Sequence, residues 1–124
     1  MRRLFAPVLC LVLLVAGEAH AAYLTIGPEV YKEEREDKGG VVFPVLNNSP
    51  RNISQIFGWV YGYGEKRPYR FKLAANPHKP AMRITPGVHA PGKTALYWFE
   101  VPAYYLDMKK FGVVVYDASV SFER

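Results

Sequence analysis

Apolar residues recur along this chain at every second position, which is the period of a half-buried strand and not of a helix. The clearest run is 53–63, where Phe57, Trp59, Tyr61 and Tyr63 fall on one face and Ile56, Gly58, Val60 and Gly62 on the other. One face is expected to pack inward, the other to be covered or left as an aromatic surface, and Trp59 is the expected buried tryptophan between two sheets. A turn at 64–68 leads to a hairpin partner at 69–73, in which Tyr69, Phe71 and Leu73 alternate with Arg70 and Lys72. Further strands are predicted at 41–46, 93–101 and 111–122, with a first edge strand at 24–31 interrupted by Gly27-Pro28. The densely charged run 31–38 predicts a solvated loop or one helical turn. Residues 74–92, rich in Pro and Gly, predict a long connection that is briefly extended at 82–84. A short turn or single helical turn follows Pro102. Six or seven strands, with turn signals roughly every 8 to 14 residues, predict an all-β antiparallel sandwich of immunoglobulin-like type.

The N-terminus breaks the pattern. Arg2 and Arg3 precede an apolar run at 4–16 and the small-residue ending Ala19-His20-Ala21, which together read as a secretory signal peptide cleaved after Ala21. The run falls short of the ~20 residues a membrane-spanning helix needs, so no span is expected after cleavage. Cys10 lies inside it without the small residues that precede a lipoprotein cysteine. The expected organisation is a leader at 1–21, an edge strand and charged loop at 22–39, and the sandwich at 40–124. Beyond the leader there is no cysteine, so stability must come from burial. Export without cysteine fits a secreted, periplasmic protein. Asn47-Asn48-Ser49 and Asn52-Ile53-Ser54 match an N-glycosylation pattern, and in a bacterial setting they read as polar turns.

Half of the 124 residues are apolar and 15% are aromatic, which excludes a disordered chain. The formal charge is +5, and the basic excess lies late in the chain: residues 51–124 hold eleven basic and five acidic side chains, residues 22–50 three and five. Lys66, Arg67, Arg70, Lys72, Lys79 and Arg83 lie close in sequence and alternate with Tyr69 and Phe71. In a cytosolic protein this mixture would suggest nucleic acid. Export points instead to an envelope protein or an anionic envelope polymer, with no nucleic acid; the alternative is that these charges guard an edge strand. The aromatic face of 53–63, with Tyr97, Trp98, Phe99, Tyr104 and Tyr105, offers rings suited to a glycan, peptide or partner protein, and most of these rings are needed for the core. Tyr63, Tyr69, Tyr104 and Tyr105, with Lys66, Arg67, Arg70 and Lys72, are the expected binding residues.

Catalysis is not expected. Beyond the leader's His20 the histidines are His78 and His89, both in the Pro-rich connection, and Ser49, Ser54, Ser119 and Ser121 lack a nucleophile-elbow context. No cofactor is expected. The alternative reading is a small copper-binding protein with ligands from His78, Met82 and His89, with Met108 also available, or with His20 as a chelating N-terminus if cleavage falls after Ala19.

The order Val45-Leu46-Asn47-Asn48-Ser49, then an aromatic strand ending Tyr61-Gly62-Tyr63-Gly64, then Pro91-Gly92-Lys93-Thr94 and a valine-rich last strand resembles the FxLYD-type and related immunoglobulin-like domains of bacterial envelope proteins. The resemblance covers about residues 40–122. It implies a small sandwich serving as an accessory or adhesion-like module without a catalytic centre.

Overall fold

Alternation makes each segment a strand, and prolines, glycines and close contacts between layers decide where each strand stops. The computed structural model describes residues 22–63, 70–75 and 79–124; the leader expected at 1–21 lies outside them. The described strands are β1 (Leu24–Ile26), β2 (Tyr31–Arg35), β3 (Lys38–Asn47), β4 (Ile53–Ile56), β5 (Trp59–Tyr63), β6 (Arg70–Ala75), β7 (Met82–Arg83), β8 (Thr94–Pro102), β9 (Lys110–Val114) and β10 (Val120–Phe122), with 3₁₀ turns at Ala103–Tyr105 and Asp117–Ser119. Every pairing is antiparallel. The protein is an all-β sandwich, as its period predicts. Among the described residues no helix is long and apolar enough to cross a membrane.

The first sheet is centred on β3 and β8, which pair from Lys38 opposite Pro102 to Leu46 opposite Thr94. β7 adds to the far edge of β8, and β1 and β2 lie end to end along the free edge of β3. Their interruption has a local cause. Pro44, in the middle of β3, accepts from Gly27 N–H through its carbonyl at 3.0 Å, and in a strand a residue's N and O point to the same side. The donor that Pro44 lacks therefore faces the break at Gly27-Pro28, where no edge strand asks for it.

Residues 31–38 are not a loop or a helical turn. They form β2 and its hairpin into β3, with Arg35 opposite Lys38. The turn residues Glu36 and Asp37 have φ of 48° and 68°, the left-handed pair that a tight two-residue hairpin requires. The usual Asn-Gly signal is absent, so the hairpin is not legible as one.

Two predicted strands are each split between sheets. The run 53–63 becomes β4, paired with β10, and β5, paired with β6 and β9; the run 111–122 becomes β9 and β10. Both breaks meet at one corner, where Phe57 N–H donates to the Ser119 carbonyl at 3.0 Å. Gly58 stands there because a Cβ would lie 2.8 Å from Phe99 and 2.9 Å from Val113. Chains change sheets at such corners, and this division raises the strand number above the six or seven expected.

The core lies between the layers. Val41, Phe43, Val45, Tyr97, Phe99 and Val101 from the first sheet meet Ile53, Ile56, Val60, Phe111, Val115 and Val120. Phe43 and Phe99 pack edge to face with centroids 5.7 Å apart. At about 25 cal/mol per Å² this apolar burial is the principal stabilising term in a fold without disulfides.

The core also holds a polar cluster. Asn47, fully buried, donates from Nδ2 to the carbonyls of Arg51 (2.8 Å) and His89 (2.9 Å) and accepts at Oδ1 from the Ser49 N–H (2.9 Å) and hydroxyl (2.7 Å). Its amide is saturated, so what reads as a polar turn is a clamp joining the end of β3 to the loop before β8.

Candidate functional site

β5 runs through the middle of the β6-β5-β9 sheet, and its register decides which face looks out. Val60 lies opposite Val113 and Gly62 opposite Phe111, so these four share the core side. Trp59, opposite Val114, Tyr61, opposite Gly112, and Tyr63, opposite Lys110, share the other. The bulky face is therefore the outer one. Trp59, expected between the sheets, is half-buried on this outer face, because the core side of the strand is filled by Val60 and closely approached at Gly58. The largely buried tryptophan is Trp98, 8% exposed, on the outer face of the first sheet opposite Val42.

The geometry around Tyr63 is specific. A Cβ on Gly112 would lie 3.7 Å from Tyr63 Cε1 and 3.9 Å from its hydroxyl, so the ring lies down across β9 over a residue without a side chain. Lys110 Nζ stands 5.8 Å from the ring centroid, within cation–π reach. On the other flank the register places Arg70 opposite Tyr63 and Lys72 opposite Tyr61. None of the register positions that flank this aromatic row is a carboxylate. Trp59, Tyr61 and Tyr63 repeat every second residue, roughly 7 Å apart at the rise of a strand.

Of the residues expected to bind, Tyr63, Arg70 and Lys72 are thus brought to one strand pair. Lys66, Arg67 and Tyr69 lie outside the described residues. Tyr104 and Tyr105 pack at a tilt of 44° with centroids 4.5 Å apart in the β8–β9 connection, which leads into Lys110 and so lies at the end of the sandwich where β5 finishes. Tyr104 is 75% exposed, and the neighbouring Tyr105 hydroxyl pushes its phenol above the ordinary value. Two contributors were not singled out from sequence: Lys110, and Gly112, whose role as the floor under a ring exists only once β9 lies beside β5.

The residues expected as metal ligands are separated. His89, read as a loop histidine, is 1% exposed, with Nδ1 2.8 Å from the Tyr97 hydroxyl and Nε2 2.9 Å from the Lys93 carbonyl. Both ring nitrogens are occupied, and burial holds the imidazole below its usual value, so the ring is a structural core group. Met82 lies opposite Trp98, on the other face of β8 from Tyr97, which contacts His89. Met108 packs against the core, and His78 lies outside the described residues. Among the described residues no group of three or more His, Cys, Asp or Glu converges.

Comparison of the chain with family models, with curated proteins and with solved structures gives no match.

Proposed function

We propose that this protein is an exported, noncatalytic binding or assembly module of the bacterial cell envelope, of immunoglobulin-like kind, engaging an anionic envelope polymer through the outer face of the β6-β5-β9 sheet. The observation that carries the reading is the inversion of β5. A strand selected only for stability would turn Trp59, Tyr61 and Tyr63 inward and its small residues outward, since burying an aromatic side chain stabilises far more than burying glycine. Here the large rings face out in a row, one reaching across to Gly112, with cationic residues at flanking positions. Aromatic faces supply contact area at low entropic cost, and flanking cations select for negative charge. A row of rings along a strand suits an extended chain better than a compact ligand, by the physics that lets stacking platforms with basic flanks track a linear polyanion. The signal-peptide pattern read at 1–21 supports export.

The test compares retention of the protein on an immobilised anionic polysaccharide, alginate, with retention on neutral dextran, at low and physiological salt. The expected result is salt-sensitive binding to alginate alone, lost in the double variant Tyr63→Ala, Lys110→Glu, which keeps its fold. Alginate binding that the double variant leaves intact would remove this face as the site. Capture of an acidic envelope protein by the same face, without polysaccharide binding, would make the module one of protein assembly.

A further inference from the structure

The outer face of the first sheet carries a groove of about 220 Å³ lined by Lys38, Lys79, Pro80, Met82, Trp98 and Glu100. We infer that it is a second site, separate from the β5 face, for a small carboxylate with a compact apolar body. Its floor is Trp98, whose Nε1 is, among the described residues, the buried side-chain polar atom without a hydrogen-bond partner. Buried tryptophan N–H groups nearly always find an acceptor, because an unmade bond there leaves the cost of desolvation uncompensated. The unpaired donor marks a place where an acceptor is missing.

The groove has two unlike ends. Met82 lies opposite Trp98 itself and is 46% exposed; with Pro80 it makes an apolar wall. From there the indole leans along β8, since its Nε1 lies 2.0 Å from the point a Cβ on Gly40 would occupy, and Gly40 is opposite Glu100. The N–H edge thus reaches the level of Glu100 and Lys79, which are ion-paired, with Lys38 beyond. Donors gather at this end: the indole N–H and two ammonium groups.

The charge selects the ligand. Two lysines against one glutamate leave a single uncompensated positive charge, which matches a monoanion; a carboxylate has two acceptor oxygens and can take the indole N–H and an ammonium together. A groove of about 220 Å³ suits a short-chain or single-ring carboxylic acid with its apolar part on Pro80 and Met82.

The test follows the indole N–H resonance of Trp98, one of two tryptophan indoles in the chain, while the nitrogen-labelled protein is titrated with hexanoate and, separately, with 1-hexanol. The expected result is a saturable shift of the Trp98 signal by hexanoate with a Kd of about 1 mM or below, at least about tenfold weaker binding of hexanol, and a similar loss for hexanoate on Lys38→Gln. Lys38 is exposed, so that variant folds. A Trp98 signal unmoved by about 10 mM hexanoate, an equal response to hexanol, or unchanged affinity in Lys38→Gln would each overturn the inference. None of these outcomes bears on the alginate experiment, because no residue is shared between the two surfaces.

Discussion

The indole of Trp98 occupies the space that a side chain on Gly40 would fill: a Cβ there would lie 1.8 Å from Cε2 and 2.0 Å from Nε1. Gly40 belongs to β3 and Trp98 to β8, so a ring from one strand lies over a bare backbone position on its neighbour. Tyr63 over Gly112 repeats the arrangement more loosely on the other sheet. At Gly40 the missing side chain is what admits the ring; at Gly112 the ring edge comes only to ordinary contact distance.

Gly40→Ala should therefore expel the indole. Overpacking of this kind costs about 1–3 kcal/mol and sometimes more, and the contact here is too short for a small adjustment to relieve. The denaturation midpoint should fall by that amount, with a red shift in tryptophan emission as Trp98 meets water. Unchanged stability and emission would place the indole elsewhere.

His89 makes the fold sensitive to acid. The Lys93 carbonyl can only accept, so Nε2 carries the proton and Nδ1 accepts from the Tyr97 hydroxyl. Protonating Nδ1 would end its acceptance of that hydroxyl's proton. Burial, seconded by the charge of Arg83, lowers the folded pKa from the usual 6.5. Below about pH 6.5 the unfolded chain takes up a proton that the folded chain refuses. The stability from neutral His89 is thus full above that pH and is lost as pH falls from there through the depressed folded value. Urea midpoints measured across this window should decline. Tyr97→Phe, which leaves Nδ1 without its donor, should cost about 1–3 kcal/mol at neutral pH.

Glu29 closes an edge. Its Oε1 accepts from the backbone N–H of Phe111 at 2.7 Å, and Lys32 Nζ donates to the Met108 carbonyl at 3.0 Å, so side chains from the β1–β2 region occupy backbone groups at the start of β9. Glu29→Ala should cost about 1–3 kcal/mol, since it unpairs a part-buried backbone donor from a carboxylate, and should raise self-association through the uncovered strand edge. Light scattering at equal concentration checks the second effect. Glu29→Gln, which keeps an acceptor, should restore most of both.

Phe99 and Trp59 should respond differently to truncation. Phe99 is fully buried, and Phe99→Ala should cost about 3–5 kcal/mol and unfold a domain of ordinary stability. Trp59 is half-buried on the outer face, so Trp59→Ala should cost less and leave a folded protein with weakened alginate retention. Equal losses in the two unfolding curves would return Trp59 to the core.

What the sequence by itself determined was the period. The alternation around Val60 follows from the two-residue repeat of a strand, the runs Val41 to Leu46 and Ala95 to Val101 are short, apolar and bounded by turn residues, and without a sustained helical period they point to the all-β class. The hairpin between Tyr63 and Arg70 was legible for the same reason. Alternation separates two faces without saying which is inside, and that is why the direction of β5 was open until Val113 and Phe111 of β9 took their places opposite Val60 and Gly62. The identity of the buried tryptophan, the glycine seat under Trp98, the pairing of His89 with Tyr97 and the corner that splits two strands at Gly58 each join residues distant in the chain. They depend on which strands become neighbours, and local propensity carries no record of that choice.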